Sequence, residues 1–134
     1  MSEPRPIAPP DAVTEPWWNA TREGRLMVQR CATCSHVQHY PRGICTACGA
    51  RDLALVESSG CGTIYSYSVV RRAPHPALEA PYVVAIVQLE EGPRLLTNVV
   101  GCSPEDVRCE QPVAVAWEDL PDGRRLPLFT PQES

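Results

Sequence analysis

Four cysteines in two C-x-x-C pairs, Cys31 with Cys34 and Cys45 with Cys48, are the residues whose type and spacing point most directly to chemistry. Each pair can fold into a tight knuckle that brings two sulfurs together. Two knuckles then make a closed tetrahedral thiolate site, the form that holds structural Zn2+. Ten residues separate the pairs, and Pro41-Arg42-Gly43 supplies a turn within them. Gly49, directly after Cys48, suits a left-handed backbone that closes the second knuckle. Iron in a rubredoxin-like site shares this geometry, and redox dithiols or a disulfide framework are further alternatives. Seven cysteines, an odd number, fit a metal plus free thiols in a reducing compartment better than disulfides. A closed site has no open position for a substrate, so it is read as structural. His36 and His39, between the pairs, read as loop residues or as donors behind the ligands. Cys61, Cys102 and Cys109 lack paired spacing and read as small buried residues.

No catalytic constellation accompanies the cysteines. The chain has no G-x-S-x-G, phosphate loop, H-E-x-x-H or G-x-G-x-x-G pattern. Glu90 and Glu91 read as a solvated turn, and Glu118, Asp119 and Asp122 as a solvent-facing acidic cluster. The reading is a binding module with no catalytic residue of its own. A net charge of -4 and a pI of about 5.3 weigh against nucleic acid as the main partner. No run of eighteen apolar residues suggests a membrane span, and the proline-rich start lacks the apolar core of a signal peptide. A cytoplasmic location is the resulting expectation.

The elements that must position the cysteines read as mainly β. Residues 1–24 are expected to be a flexible leader followed by a short helix over Glu15 to Glu23. Thr14 is its candidate N-cap, Pro16 lies in its first turn, and Gly24 follows its end. Residues 25–59 are expected to form the zinc ribbon, entered by a strand over Arg25 to Arg30. Residues 60–134 are expected to form a five-stranded barrel. Its strands run Thr63 to Val70, Tyr82 to Leu89, Arg94 to Val100, Pro112 to Glu118 and Arg124 to Phe129, with one helical turn near Ser103 to Asp106. Strict alternation places Tyr65, Tyr67 and Val69 on one face of the first strand. Five strands with a helical connection after the third match the OB-fold. Trp17 and Trp18 read either as packing residues or as partner-interface anchors.

The order of these features resembles a known family. Gly24-Arg25-Leu26 and Arg30-Cys31 precede the two cysteine pairs. Gly62-Thr63-Ile64-Tyr65-Ser66, Pro81-Tyr82-Val83-Val84-Ala85, Glu91-Gly92-Pro93-Arg94-Leu95 and Pro127-Leu128-Phe129 follow. The chain resembles the bacterial and archaeal proteins that join a rubredoxin-like zinc ribbon to an OB-fold. The resemblance implies an accessory subunit of a thiolase-fold acyl-CoA enzyme, such as an acyltransferase, thiolase or retro-aldolase of CoA thioesters. The partner would carry the catalytic residues, and the OB-fold would shape a channel for the acyl-CoA. On that expectation the loop Arg71 to Pro81 bears the ligand contacts. Arg71 and Arg72 would meet phosphate, and His75 and Leu78 would line the path. The sequence departs from the pattern at Cys109-Glu110-Gln111-Pro112, where the family leads one to expect a glycine-containing turn. A single-stranded nucleic-acid module is the alternative function, with Tyr65 and Tyr67 stacking on bases and Arg71-Arg72 on phosphate.

Overall fold

The computed structural model describes residue 5 and residues 7–132. Residues 1–4 and 6 of the expected leader lie outside the described residues. The helix α1 spans Glu15–Thr21. Thr14 precedes it in a helical conformation and makes no side-chain cap. The capping oxygen is instead Asp11 Oδ1, which accepts from the N–H of Val13 and of Thr14. Strands β1 (Met27–Cys31), β2 (Val37–Gln38) and β3 (Leu53–Glu57) form a small antiparallel sheet in the order β2-β1-β3. The strand Leu53–Glu57, half-buried on both faces, was not legible in the periodicity; it pairs with β1 along its whole length.

Five further strands close a barrel: β4 (Cys61–Val70), β5 (Tyr82–Leu89), β6 (Arg94–Val99), β7 (Pro112–Asp119) and β8 (Arg125–Pro131). They close in the order β4-β5-β6-β8-β7, with a 3-10 turn at Pro104–Asp106 between β6 and β7. This is the OB order, and the mainly β fold expected from the sequence is the one the chain adopts. Alternate residues of β5 and β6 fill the interior, among them Val83, Ala85, Val87, Leu95 and Val99, packed around the fully buried Phe129.

The first barrel strand is not regular. A bulge between Ile64 and Ser66 shifts the register, so that Tyr67 comes opposite the buried Ala85 and Val69 opposite the buried Val83. Tyr65 is left at the bulge, and the guanidinium of Arg94 lies 3.7 Å from its ring centre. Tyr65 and Tyr67 therefore do not share a face, because one inserted residue reverses the side-chain parity. Glu110 supports the bulge by donating its N–H to Ile64 O at 2.7 Å, and it takes a left-handed backbone, φ 65°. It thus adopts the conformation that a glycine would take more readily.

The barrel closes weakly at one seam. β6 and β8 run parallel and register only at Val99 with Phe129, joined by a 2.8 Å bond from Val100 N–H to Phe129 O. The parity that turns Phe129 toward β6 also turns Pro127 that way, and proline has no N–H to give. Two side chains bridge the gap instead. The Thr97 hydroxyl donates to Pro127 O at 2.9 Å, and Leu96 N–H donates to the Tyr40 hydroxyl at 2.8 Å.

The acidic residues expected to be solvated make specific pairs. Arg124, 6% exposed, holds Asp122 at 2.6 Å, donates to Ala8 O at 3.0 Å and lies over the Trp18 ring. Glu118 holds Arg5 at 2.8 Å, and Asp119 holds Arg125 at 3.3 Å. Glu91 clasps the turn between ribbon and barrel, accepting from the Ser58 hydroxyl at 2.7 Å and from Ser59 N–H at 3.0 Å. In that turn Gly60 has φ 79°, and a Cβ there would meet Val115.

Partial burial alone would raise the Glu91 carboxyl, but its bonds from Ser59 and Ser58 outweigh this and hold it below the usual 4.5. The folded state therefore binds fewer protons at this group than the unfolded chain. Its contribution is complete above about pH 4.5 and is lost as pH falls through the lower folded value. Glu91→Gln is expected to lower stability by about 1 kcal/mol at pH 7. The gap between variant and native protein should narrow below pH 4.5, as read by urea unfolding at several pH values.

Candidate metal centre and ligand groove

The two C-x-x-C segments fold into matched knuckles. Cys31 O accepts from Ser35 N–H and Cys45 O accepts from Gly49 N–H, each at 2.9 Å. Ser35 (φ 64°) and Gly49 (φ 80°) both take the left-handed backbone that turns the chain back toward the sulfurs. The N–H groups of Ala47 and Cys48 point at Cys45 Sγ, that of His36 at Cys34 Sγ, and that of Ala50 at Cys48 Sγ. Backbone donors of this kind stabilise thiolate over thiol.

The four Sγ atoms lie within 4.8 Å of one another. Cys31 to Cys48 is 3.7 Å, and Cys34 to Cys45 is 3.6 Å. A tetrahedron with metal–sulfur bonds of ~2.3 Å has edges of ~3.8 Å, so the spacing fits one ion. Charge crowding leads to the same conclusion. Burial raises the Cys45 thiol, but the N–H groups of Cys48 and Ala47 and the adjoining thiols bring it down to about 6. At Cys48 the Ala50 N–H acts downward, yet burial and the other three sulfurs push it up to about 12. One sulfur ionises readily at the expense of its neighbours, and four thiolates this close require a cation. Cys31 and Cys45 are buried and Cys34 and Cys48 exposed, so the centre sits at the edge of the ribbon.

A pair of buried glutamines sets the second knuckle against the first. Gln38 Nε2 donates to Gln29 Oε1 at 2.9 Å and to Ile44 O at 3.2 Å. Gln38 Oε1 accepts from Thr46 N–H at 2.9 Å. Gln29 exchanges bonds with the backbone of Arg42 at 2.9 and 3.0 Å. The turn before Cys45 is therefore held by side-chain amides, a role that a lone glutamine in a sequence does not announce. Asp52 adds support, accepting from the Thr33 hydroxyl at 2.8 Å, with one oxygen 3.9 Å from Cys31 Sγ. His36 meets the Thr46 hydroxyl at 3.2 Å. His39 instead leaves the metal side and packs between Trp17 and Tyr40.

The expected ligand residues separate. Leu78 joins Tyr82, Val84, Leu96, Asn98 and Leu126 around an open groove of about 310 Å³ on the outer face of β5 and β6. Arg5 also lines it, bridging Glu118 and Asn98. Arg71 and Arg72 stand exposed at the start of the same loop and outside the lining of this groove. The ring of His75 accepts from Ala77 N–H at 3.0 Å and so shapes the loop from within. Trp17 lies in the core, 6% exposed, donating its indole N–H to Met27 O at 2.8 Å. Burial of this ring leaves Trp17 a packing residue rather than a free anchor. Trp18 is half-buried beside it, ring centres 4.8 Å apart.

Comparison with known proteins agrees with this geometry. Two family models match: the rubredoxin-like zinc ribbon domain of ChsH2 over residues 18–54 and the C-terminal OB-fold domain of ChsH2 over residues 55–118. A DUF35 domain-containing scaffold protein of Methanocaldococcus jannaschii is 37% identical over 83% of each chain. A probable enoyl-CoA hydratase alpha subunit of Thermomonospora curvata is 41% identical over 96% of this chain. The chain spans about two fifths of that subunit's length, 41%. Among solved structures, a chain of the Ltp2-ChsH2(DUF35) aldolase superposes with a TM-score of 0.84 at 42% identity, covering 95% of this chain and 98% of that one.

Two substitutions separate the ligands from their support. Cys45→Ser is expected to lose the ion during purification and to unfold the ribbon. Gln38→Ala should keep the ion but release it to a chromogenic chelator about 10–100-fold more readily, because the turn carrying Cys45 loses its holder.

Proposed function

The chain belongs to the DUF35 family of ChsH2-type zinc ribbons joined to an OB-fold, and from that premise we propose that it is a non-catalytic accessory subunit of a thiolase-fold acyl-CoA enzyme. The observation that carries the reading is the nearly full-length match to a chain of the Ltp2-ChsH2(DUF35) aldolase. The hydratase alpha-subunit relative bears a CoA-thioester name as well. In this reading the partner performs the bond chemistry, and this chain stabilises the assembly and walls the channel along which the acyl-CoA passes.

The groove suits that task. OB-folds bind ligands on the face of their second and third strands, beside the loop joining the first two. Here those strands are β5 and β6, and Leu78 of that loop lies at the groove. Val84, Leu96, Leu126 and Leu128 offer apolar walls for an acyl or pantetheine chain. Arg71 and Arg72, exposed at the start of the same loop, are suited to phosphate, since a guanidinium donates two parallel bonds. Zn2+ held by Cys31, Cys34, Cys45 and Cys48 supplies no reaction chemistry; it cross-links two knuckles in a ribbon too small for a sufficient core. Against a single-stranded nucleic-acid module stand the net charge of -4, the separation of Tyr65 from Tyr67, and the Arg94 guanidinium already over the Tyr65 ring.

The test is co-expression with a thiolase-fold acyl-CoA enzyme. The isolated chain should turn over no acyl-CoA, and the pair should co-purify with one zinc per copy of this chain. Replacing Arg71 and Arg72 together by alanine should raise KM for the thioester by about 10–100-fold, the scale of one lost charged hydrogen bond, with assembly intact. Turnover by the chain alone, or failure to assemble, would overturn the proposal.

A further inference from the structure

The groove on the outer face of β5 and β6 does not end at its apolar walls. A second depression of about 320 Å³, lined by Glu79, Val100 and Glu118 among others, adjoins it. The two share Arg5, Leu78, Tyr82 and Asn98. Tyr82 and Asn98 stand on the paired strands β5 and β6, and Leu78 on the loop before β5. Arg5 alone of the four comes from outside the barrel, from the leader that precedes α1.

We propose that Arg5 is a displaceable strap, and that an acyl-CoA chain expels it in order to run from one depression into the other. The inference rests on the acyl-CoA reading above. Arg5 Nε donates to Glu118 at 2.8 Å, and its Nη1 donates to Asn98 Oδ1 at 3.0 Å. Asn98 belongs to β6 and Glu118 to β7, with β8 between them, so the side chain spans a whole strand of the barrel. On one side of it the walls are Val84, Leu96 and Leu126. An alkyl chain laid from those walls past the closed pair would strip water from two charges and return no hydrogen bond. Chain and strap therefore compete for one place.

The strap can leave without disturbing the face beneath it. Among the described residues, no backbone hydrogen bond ties residues 5 and 7–10 to a strand. Side chains hold them instead, through the Arg5 contacts and a 3.0 Å bond from Arg124 to Ala8 O. The Arg5 and Glu118 side chains are 21% and 40% exposed, so water reaches both, and ion pairs of this kind are weak tethers. Asn98 keeps its place when Arg5 goes, because its Nδ2 donates to Val83 O of β5 at 2.9 Å. A site that is open only part of the time binds more weakly in proportion to the open fraction. Arg5, while latched, thus lowers the affinity of the face for its ligand.

The test uses the full chain assembled with a thiolase-fold partner. Arg5→Ala and, separately, Glu118→Gln should each lower KM for the thioester about two- to fivefold, the scale of a partly exposed ion pair, with kcat unchanged. Glu118→Gln leaves Arg5 and the leader in place, so it serves even where Arg5→Ala fails to fold. A purely structural Arg5 would instead raise KM or weaken assembly when removed. A diazirine in the acyl chain reports in parallel where that chain lies. Labels on this face with KM unchanged or raised in the folded variants overturn the strap and leave the acyl-CoA reading standing. Turnover with no label on this face overturns both.

Discussion

The barrel's incomplete closure between β6 and β8 shapes most of what surrounds it. A single parallel register pair, Val99 with Phe129, joins the two strands, and Pro127 withholds the next donor. An open seam would expose strand edges and core, which folded proteins avoid. Here the helix, the ribbon hairpin, Arg5 and Ile7 lie over it. Trp17 plugs the base, Tyr40 supplies a hydroxyl to the free N–H of Leu96, and Thr97 reaches Pro127 O. The ribbon thus completes the barrel by covering a donor that no strand satisfies. Where the cover is partial, the groove remains.

This arrangement links the metal centre to the groove on the outer face of β5 and β6. The ion fixes two knuckles, the knuckles fix the hairpin between them, and Gln29 and Gln38 fix the hairpin's turn. The same hairpin delivers His39 and Tyr40 to the barrel. Loss of the ion therefore reaches the seam through contiguous bonded elements. Glu91 adds a second tie at the Ser58–Gly60 turn, so ribbon and barrel are joined at both ends of the interface.

Much of this was legible in the sequence because it rests on local signals. The doubled C-x-x-C spacing located the sulfur cluster, and the turn residues located all five barrel strands to within about two residues. What escaped notice depends on contacts between distant segments. The bulge at Tyr65 is invisible to a two-residue period, so alternation placed Tyr65 and Tyr67 together when the fold separates them. Glu118, Asp119 and Asp122 do face solvent, as expected, but their arginine partners, Arg5, Arg125 and Arg124, are recognisable only once the chain is folded. Gln29 and Gln38 carry no motif, and their importance lies in burial. Trp17 left two readings open, and its burial against Met27 decides between them.

In the proposed two-protein enzyme the outer face of β5 and β6 walls an acyl-CoA channel. A photoreactive acyl-CoA, with a diazirine in its acyl chain, tests this most directly when cross-linked in the assembled complex and mapped by mass spectrometry. Labels on Tyr82, Val84, Leu96 or Leu126 of this chain are expected. Labels confined to the partner, with none on this face in a complex that turns over the same thioester, would contradict it.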